Sequence, residues 1–138
     1  MPEVNSLILQ GFEWHTQSSP HHSHYAYLTR LLPALSTLGV TSLWLPPGCK
    51  ANNSNGNGYD IYDLWDLGEF EQKGNRSTKW GSREELDHLL RRARELHTGV
   101  VWDAVLNHKQ GGDSVEEVWA VEVDKEGESR MATSIVWS

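Results

Sequence analysis

The stretch Val101-Trp102-Asp103-Ala104-Val105-Leu106-Asn107-His108-Lys109 decides how the rest of the chain is read. With Val100 before it, the run to Leu106 reads as a strand buried on both faces, as in a parallel sheet. Asp103 interrupts the run, and Asn107 and His108 close it. Helix-flanked parallel sheets gather their chemistry beyond the carboxyl ends of the strands. This cluster is therefore the first place to look for function.

Working outward, two more strands are expected at Leu7–Phe12 and Thr41–Leu45, the second stopped by Pro46-Pro47. Between them Tyr25, Leu28, Leu31, Leu32, Leu35 and Leu38 fall near helical spacing. Pro33 predicts a break into two short helices, with the proline at the first turn of the second, and Gly39 ends that helix. From Gly48 to Gly58 the composition turns to Asn, Gly and Ser, which predicts a flexible surface loop. Ser82 with Glu85 makes a capping box, and Leu86, Leu89, Leu90, Ala93 and Leu96 supply one apolar helix face closed by Gly99. Strand, helix, strand, loop, helix, strand is the grammar of βαβ units. Right-handed crossovers then place the three strands parallel, in sequence order, with helices on one face. Beyond Gly111 the pattern weakens to Val118, Ala120, Val121 and Val123 among charges.

Composition mostly excludes. A net charge of -7 over 138 residues argues against a nucleic-acid partner, which needs a basic footprint. Cys49 is the sole cysteine, so neither an internal disulfide nor a cysteine-based zinc site is available. No segment has the length of a membrane span, so no membrane partner is expected. The start, Met1-Pro2-Glu3-Val4-Asn5, has no signal-peptide pattern, which implies a cytoplasmic protein if Met1 is the true start.

The spacing D-x-x-x-N-H at Asp103, Asn107 and His108 resembles the first signature region of the α-amylase family of glycoside hydrolases. Other segments extend the resemblance in register. Leu9-Gln10-Gly11-Phe12-Glu13-Trp14 is similar to the first barrel strand of liquefying-type α-amylases, although Gly11 stands where an aromatic is common. Gly39-Val40-Thr41-Ser42-Leu43-Trp44-Leu45-Pro46-Pro47 resembles their second strand, and the run from Gly58 to Phe70 resembles the loop that follows. Trp80-Gly81-Ser82 continues the likeness, and Val121-Glu122-Val123-Asp124 is similar to the beginning of an inserted second domain.

The resemblance implies a partial (β/α)8 TIM barrel, its first three strands and their helices. Residues 1–113 would belong to the catalytic barrel and 114–138 to the start of the inserted domain. A whole barrel needs roughly 250 residues, so the chain reads as an N-terminal fragment of an intracellular amylase. The implied parent activity is retaining endo-hydrolysis of α-1,4-glucosidic bonds in starch or glycogen. The family's catalytic carboxylates fall on later strands, beyond Ser138, so no residue here is assigned a catalytic role and the fragment alone is expected to be inactive.

The same resemblance implies roles for six residues. Tyr59 corresponds to an aromatic that stacks on glucose, where the alternative is a loop anchor packing on Trp14 or Trp65. Asp103 and His108 correspond to residues beside the scissile sugar; the plainer readings are a structural partner for an arginine and a satisfied barrel-mouth histidine. Gln10 and Trp14 are further cleft-wall residues or ordinary packing. Asn107 corresponds to a calcium ligand, its amide oxygen being a hard neutral donor, or else caps local backbone. Of the tempting clusters, His21, His22 and His24 read as a solvated helix approach. Asp60, Asp63, Asp66, Glu69 and Glu71 read as a solvated loop. Competing readings are another α-glucoside-active enzyme of the same clan, a non-catalytic carbohydrate-binding fragment, and a small βαβ nucleotide binder. The last lacks any phosphate-binding glycine motif.

Overall fold

Among the described residues of the computed structural model nine elements follow one another: β1 (Ile8–Gln10), α1 (His24–Thr37), β2 (Ser42–Leu45), β3 (Lys50–Ala51), β4 (Ile61–Asp63), α2 (Arg83–Glu95), β5 (Gly99–Trp102), β6 (Glu116–Val123) and β7 (Ser129–Trp137). Residues 5–18, 22–114, 116–123 and 129–137 are described. The readings that rest on Met1 to Val4, on His21 and on Asp124 lie outside them.

β1, β2 and β5 form one parallel sheet in that order, with Leu9 opposite Leu43 and Leu43 opposite Val100. The in-order parallel arrangement expected from the sequence is what the chain adopts. β3 and β4 pair antiparallel, as do β6 and β7.

Alternation along β2 sorts the two faces of the sheet. Leu43 and Leu45 are buried with Tyr25, Leu28, Leu32 and Leu35 of α1 and Leu86, Leu89 and Ala93 of α2, while Val100 and Trp102 pack alongside. Each fully buried leucine contributes about 2 kcal/mol, so this layer dominates the stability. The opposite face carries Gln10, Trp44 and Val101, one row across three strands.

Four expectations about local structure need correction. Pro33 sits inside a single helix rather than between two. An interior proline costs about 3 kcal/mol, and the burial of Leu32 and Leu35 on either side outweighs it. Leu38, counted on the apolar face, is 76% exposed. β5 ends at Trp102 rather than Leu106, which is 77% exposed. Its neighbour β2 runs into Pro46-Pro47, which have no N–H to extend the pairing, and the last link is Asp103 N–H to the Leu45 carbonyl at 3.2 Å. Gly99 does not close α2: it opens β5, and the residue that takes the left-handed conformation after the helix is His97, at φ 55°.

The helix starts follow local chemistry. Ser23 accepts the Ala26 N–H at α1, and at α2 Ser82 and Glu85 satisfy each other's backbone in the expected capping box. The loop from Gly48 is not the flexible segment its composition suggests, because Lys50 and Ala51 are buried in β3. Asp66, read as solvated, is fully buried. No helix among the described residues is long and apolar enough to cross a membrane.

Candidate active-site wall

Strand parity puts Asp103 on the side of the sheet away from the helices, one step beyond Val101. Tyr59 reaches it through two glycines. At Gly48 a side chain would overlap the Trp102 ring. Gly58 has φ 93°, and a Cβ there would lie 2.5 Å from the Pro47 carbonyl. Only glycine takes that turn without strain, and the chain is thereby brought back to the strand ends with Tyr59 next in line.

Asp103 is held by two donors. The Tyr59 phenol donates to Oδ2 at 2.5 Å, and the Trp44 indole donates to Oδ1 at 2.9 Å. Among the described residues the partners of Asp103 are thus two aromatic side chains, where the plainer reading had an arginine. Burial, the hydrogen bond to Asp103 and the charge of that carboxylate push the Tyr59 phenol up to about 12. Tyr59 is thus a donor throughout the neutral range.

The Trp14 ring stacks on Tyr59 with centroids 5.7 Å apart and planes 17° from parallel. Its carbonyl is tied down by the Asn57 amide at 3.1 Å and by Lys79 Nζ at 3.3 Å. His108 Nε2 lies 2.8 Å from the Tyr59 carbonyl. A carbonyl only accepts, so Nε2 carries the proton, and Nδ1 accepts the Asn107 amide N–H at 2.7 Å. Trp14, Tyr59, Asp103, Asn107 and His108 are consequently one connected network. Gln10 is not part of it: its amide donates to the Phe12 carbonyl at 2.8 Å.

A cavity of about 510 Å³ opens beside the network, lined among others by Trp14, Tyr59, Asn57, Asp60, Lys79 and His108. Aromatic faces beside amides and one ammonium suit a neutral polyhydroxylated ligand. The sequence reading missed Trp44, Asn57 and Lys79. Trp44 was within reach, because alternation around Leu43 and Leu45 already turns it to the Asp103 side. Nothing local marked Asn57 or Lys79.

The fit to calcium is limited. Asn107 offers Oδ1 as a hard ligand, since its nitrogen is committed to His108, but calcium takes roughly six to eight oxygens. Among the described residues no three His, Cys, Asp or Glu side chains gather as a metal-holding group. His22 lies against Arg30, while His24 bonds the Gly11 carbonyl at 2.6 Å, so these two imidazoles point to different partners.

Residues 26–132 match the family described as alpha amylase, catalytic domain. The chain belongs to that family. Its sequence is 38% identical over 128 residues to an Alpha-amylase of Bacillus licheniformis, covering 93% of this chain and 25% of that protein. It is 37% identical over 130 residues to a Glucan 1,4-alpha-maltohexaosidase of Bacillus sp. (strain 707), covering 94% and 25%. The amylase-family chain thus spans about a quarter of the length of these curated relatives. Among solved structures, alternansucrase in complex with isomaltononaose superposes with a TM-score of 0.77 at 23% identity, over 94% of this chain and 12% of that one. The fold is of the TIM-barrel type, with the three parallel strands as its visible part.

Proposed function

We propose that the network around Asp103 is one wall of the α-glucan cleft of an α-amylase-type glycoside hydrolase acting on internal α-1,4 bonds of starch or glycogen. The observation that carries this reading is the joint placement of Trp14, Tyr59, Asp103 and His108 at the carboxyl ends of parallel strands, where barrel enzymes work. The relatives named for α-amylase and 1,4-α-maltohexaosidase activity support the substrate class. In this reading β1, β2 and β5 are the first three strands of a (β/α)8 barrel, residues 1–113 belong to it, and the β6–β7 hairpin opens an inserted domain.

The chemistry follows from the side chains present. The Tyr59–Trp14 stack offers an aromatic surface to the C–H face of a glucose ring. Each Asp103 oxygen accepts one protein donor and retains a further lone pair for a sugar hydroxyl. His108, fixed as the Nε2–H tautomer, keeps the Tyr59 backbone at that distance. Retaining hydrolysis needs two carboxyl groups about 5–5.5 Å apart across the bond. By the family resemblance neither belongs to these residues, so this wall binds and orients rather than cleaves. Asn107 Oδ1 is assigned one ligand position of a calcium site completed from outside the described residues, and no step of the reaction is routed through it.

The test is a fluorescence titration of the purified chain with maltohexaose, with isomaltohexaose as comparator. Quenching by maltohexaose that Tyr59→Ala abolishes is the expected result. Equal response to both sugars would point to another α-glucoside enzyme of the clan, and no response to either would reject the cleft wall.

A further inference from the structure

Lys50 and Asp66 are 3% and 0% exposed, with Nζ 3.3 Å from Asp66 Oδ2. Around the same Nζ stand four backbone carbonyls: Arg76 at 2.6 Å, Asn75 at 2.8 Å, Phe70 at 3.2 Å and Ser77 at 3.5 Å. Asp66 is itself fixed. Its Oδ1 accepts the N–H groups of Gly68 at 2.8 Å, Glu69 at 2.9 Å and Phe70 at 3.3 Å, and its Oδ2 accepts the Gln72 amide at 3.0 Å. Burial pushes the Asp66 carboxyl up, but those backbone donors and the Lys50 charge outweigh it and hold it below the usual range.

A simple buried ion pair is weak evidence of stability, because desolvation offsets the attraction. This one has a different composition. Five oxygens surround a group with only three N–H bonds, and four of the five are neutral carbonyls from separate peptide units. Carbonyl oxygens with one carboxylate are the donor set of a hard-cation site. We propose that this cage is an internal monovalent-cation site that the protein fills with the tethered ammonium of Lys50, and that it accepts a free primary alkylammonium once the tether is cut.

The cage has a position as well as a composition. It joins β3, the turn after β4 and the segment 75–77. From β3 the chain runs on to Asn57 and Tyr59, and from Ser77 it runs on to Lys79 and Trp80, whose indole donates to the Asn57 carbonyl at 3.2 Å. Both arms of the cavity wall thus start at the Lys50 ammonium. The proposal stands independently of the glucan reading, since it names a cation and not a sugar.

Hydrogen-exchange mass spectrometry on Lys50→Ala tests it, with α1 as internal reference. Exchange of the segment 66–81 should rise by roughly tenfold or more, as expected for an orphaned buried charge. Propylammonium, which replaces the deleted atoms and the charge, should restore protection with a saturable dose response. Tetramethylammonium, charged but without N–H groups, and n-propanol, which fills space without charge, should not. If Lys50→Ala loses protection in α1 as well, recovery of both segments by propylammonium alone carries the same meaning. Unchanged exchange in the variant, loss that propylammonium does not restore, or equal rescue by propanol would each overturn the proposal.

Discussion

Tyr59 and Asp103 lie 44 positions apart in sequence, yet the phenol of one donates to the carboxylate of the other at 2.5 Å. That bond joins the loop after β3 to the residue after β5, and the bond from His108 to the Tyr59 carbonyl ties the same two segments a second time. Tyr59→Phe keeps the ring on Trp14 and removes only the donor. A loss of about 1.5–3 kcal/mol is expected from a bond to a charged acceptor, reduced toward the lower figure by partial exposure. Denaturant midpoints of the two proteins measure it.

The same bond has a pH signature. The folded Tyr59 phenol titrates at about 12, above its ordinary value near 10. Its contribution is therefore fully present below about pH 10 and is lost as pH rises toward 12. Tyr25 and Tyr62 are held up as well, so the expected change in an ultraviolet difference titration of Asp103→Asn is an earlier ionisation of Tyr59, with the part of its shift that comes from burial remaining.

His24 works in the opposite sense. Burial lowers its imidazole pKa and the Lys79 charge adds to this, against the bond to the Gly11 carbonyl. A depressed folded pKa contributes stability above the unfolded value near 6.5, which is lost as pH falls through the folded one. The urea midpoint should decline on acidification below that value. His24→Gln, which retains a donor for Gly11 but has no charge to gain, should flatten the decline; an unchanged slope would remove His24 from the account.

Purified chain 1–138 should release no reducing sugar from soluble starch above background, because the proposed reading assigns neither carboxyl group of the hydrolytic pair to these residues. Asp103→Ala serves as the control for contaminating amylase. Turnover that disappears in this variant would place catalysis on Asp103 and contradict the binding role.

The sheet face bearing Asp103 also carries Ile8 and Val101, 56% and 49% exposed, with β1 and β5 as its edges among the described residues. Unpaired edges with apolar side chains promote association. Sedimentation should show concentration-dependent self-association, weakened by Val101→Lys. On the other face, Leu43→Ala should cost about 2–5 kcal/mol, whereas Val101→Ala should stay within about 1 kcal/mol. Equal effects would mean that the two faces are assigned the wrong way round.

The legible parts of the fold were those set by neighbours in sequence. The capping box at Ser82 and Glu85, the apolar stripe Leu86–Leu89–Ala93 and the proline stop after Leu45 each carry their cause within a few residues. The misread parts depend on distant partners. β5 ends early because of prolines on another strand, and Pro33 is tolerated because of what Leu32 and Leu35 meet across the core. Lys50 and Asp66 look like surface residues until eight further groups from 68–77 close around them. In the site, motif spacing brought out Asp103, His108 and Tyr59, whereas Gln10 turned to its own backbone. Trp44, the second donor to Asp103, was legible only as the strand position that alternation turns to the Asp103 side, with nothing in its run to mark the hydrogen bond.

The oxygen cage also bears on the order in which the chain folds. Lys50 lies 20 to 27 positions from the carbonyls it gathers, whereas Trp44 and Asp103 are 59 apart. The entropy of closing the shorter loop is less unfavourable by roughly 0.8 kcal/mol, and contacts of short sequence separation form sooner. The two arms carrying Asn57 with Tyr59 and Lys79 with Trp80 would then be shaped before the three parallel strands meet, leaving Asp103 to arrive at a surface already made.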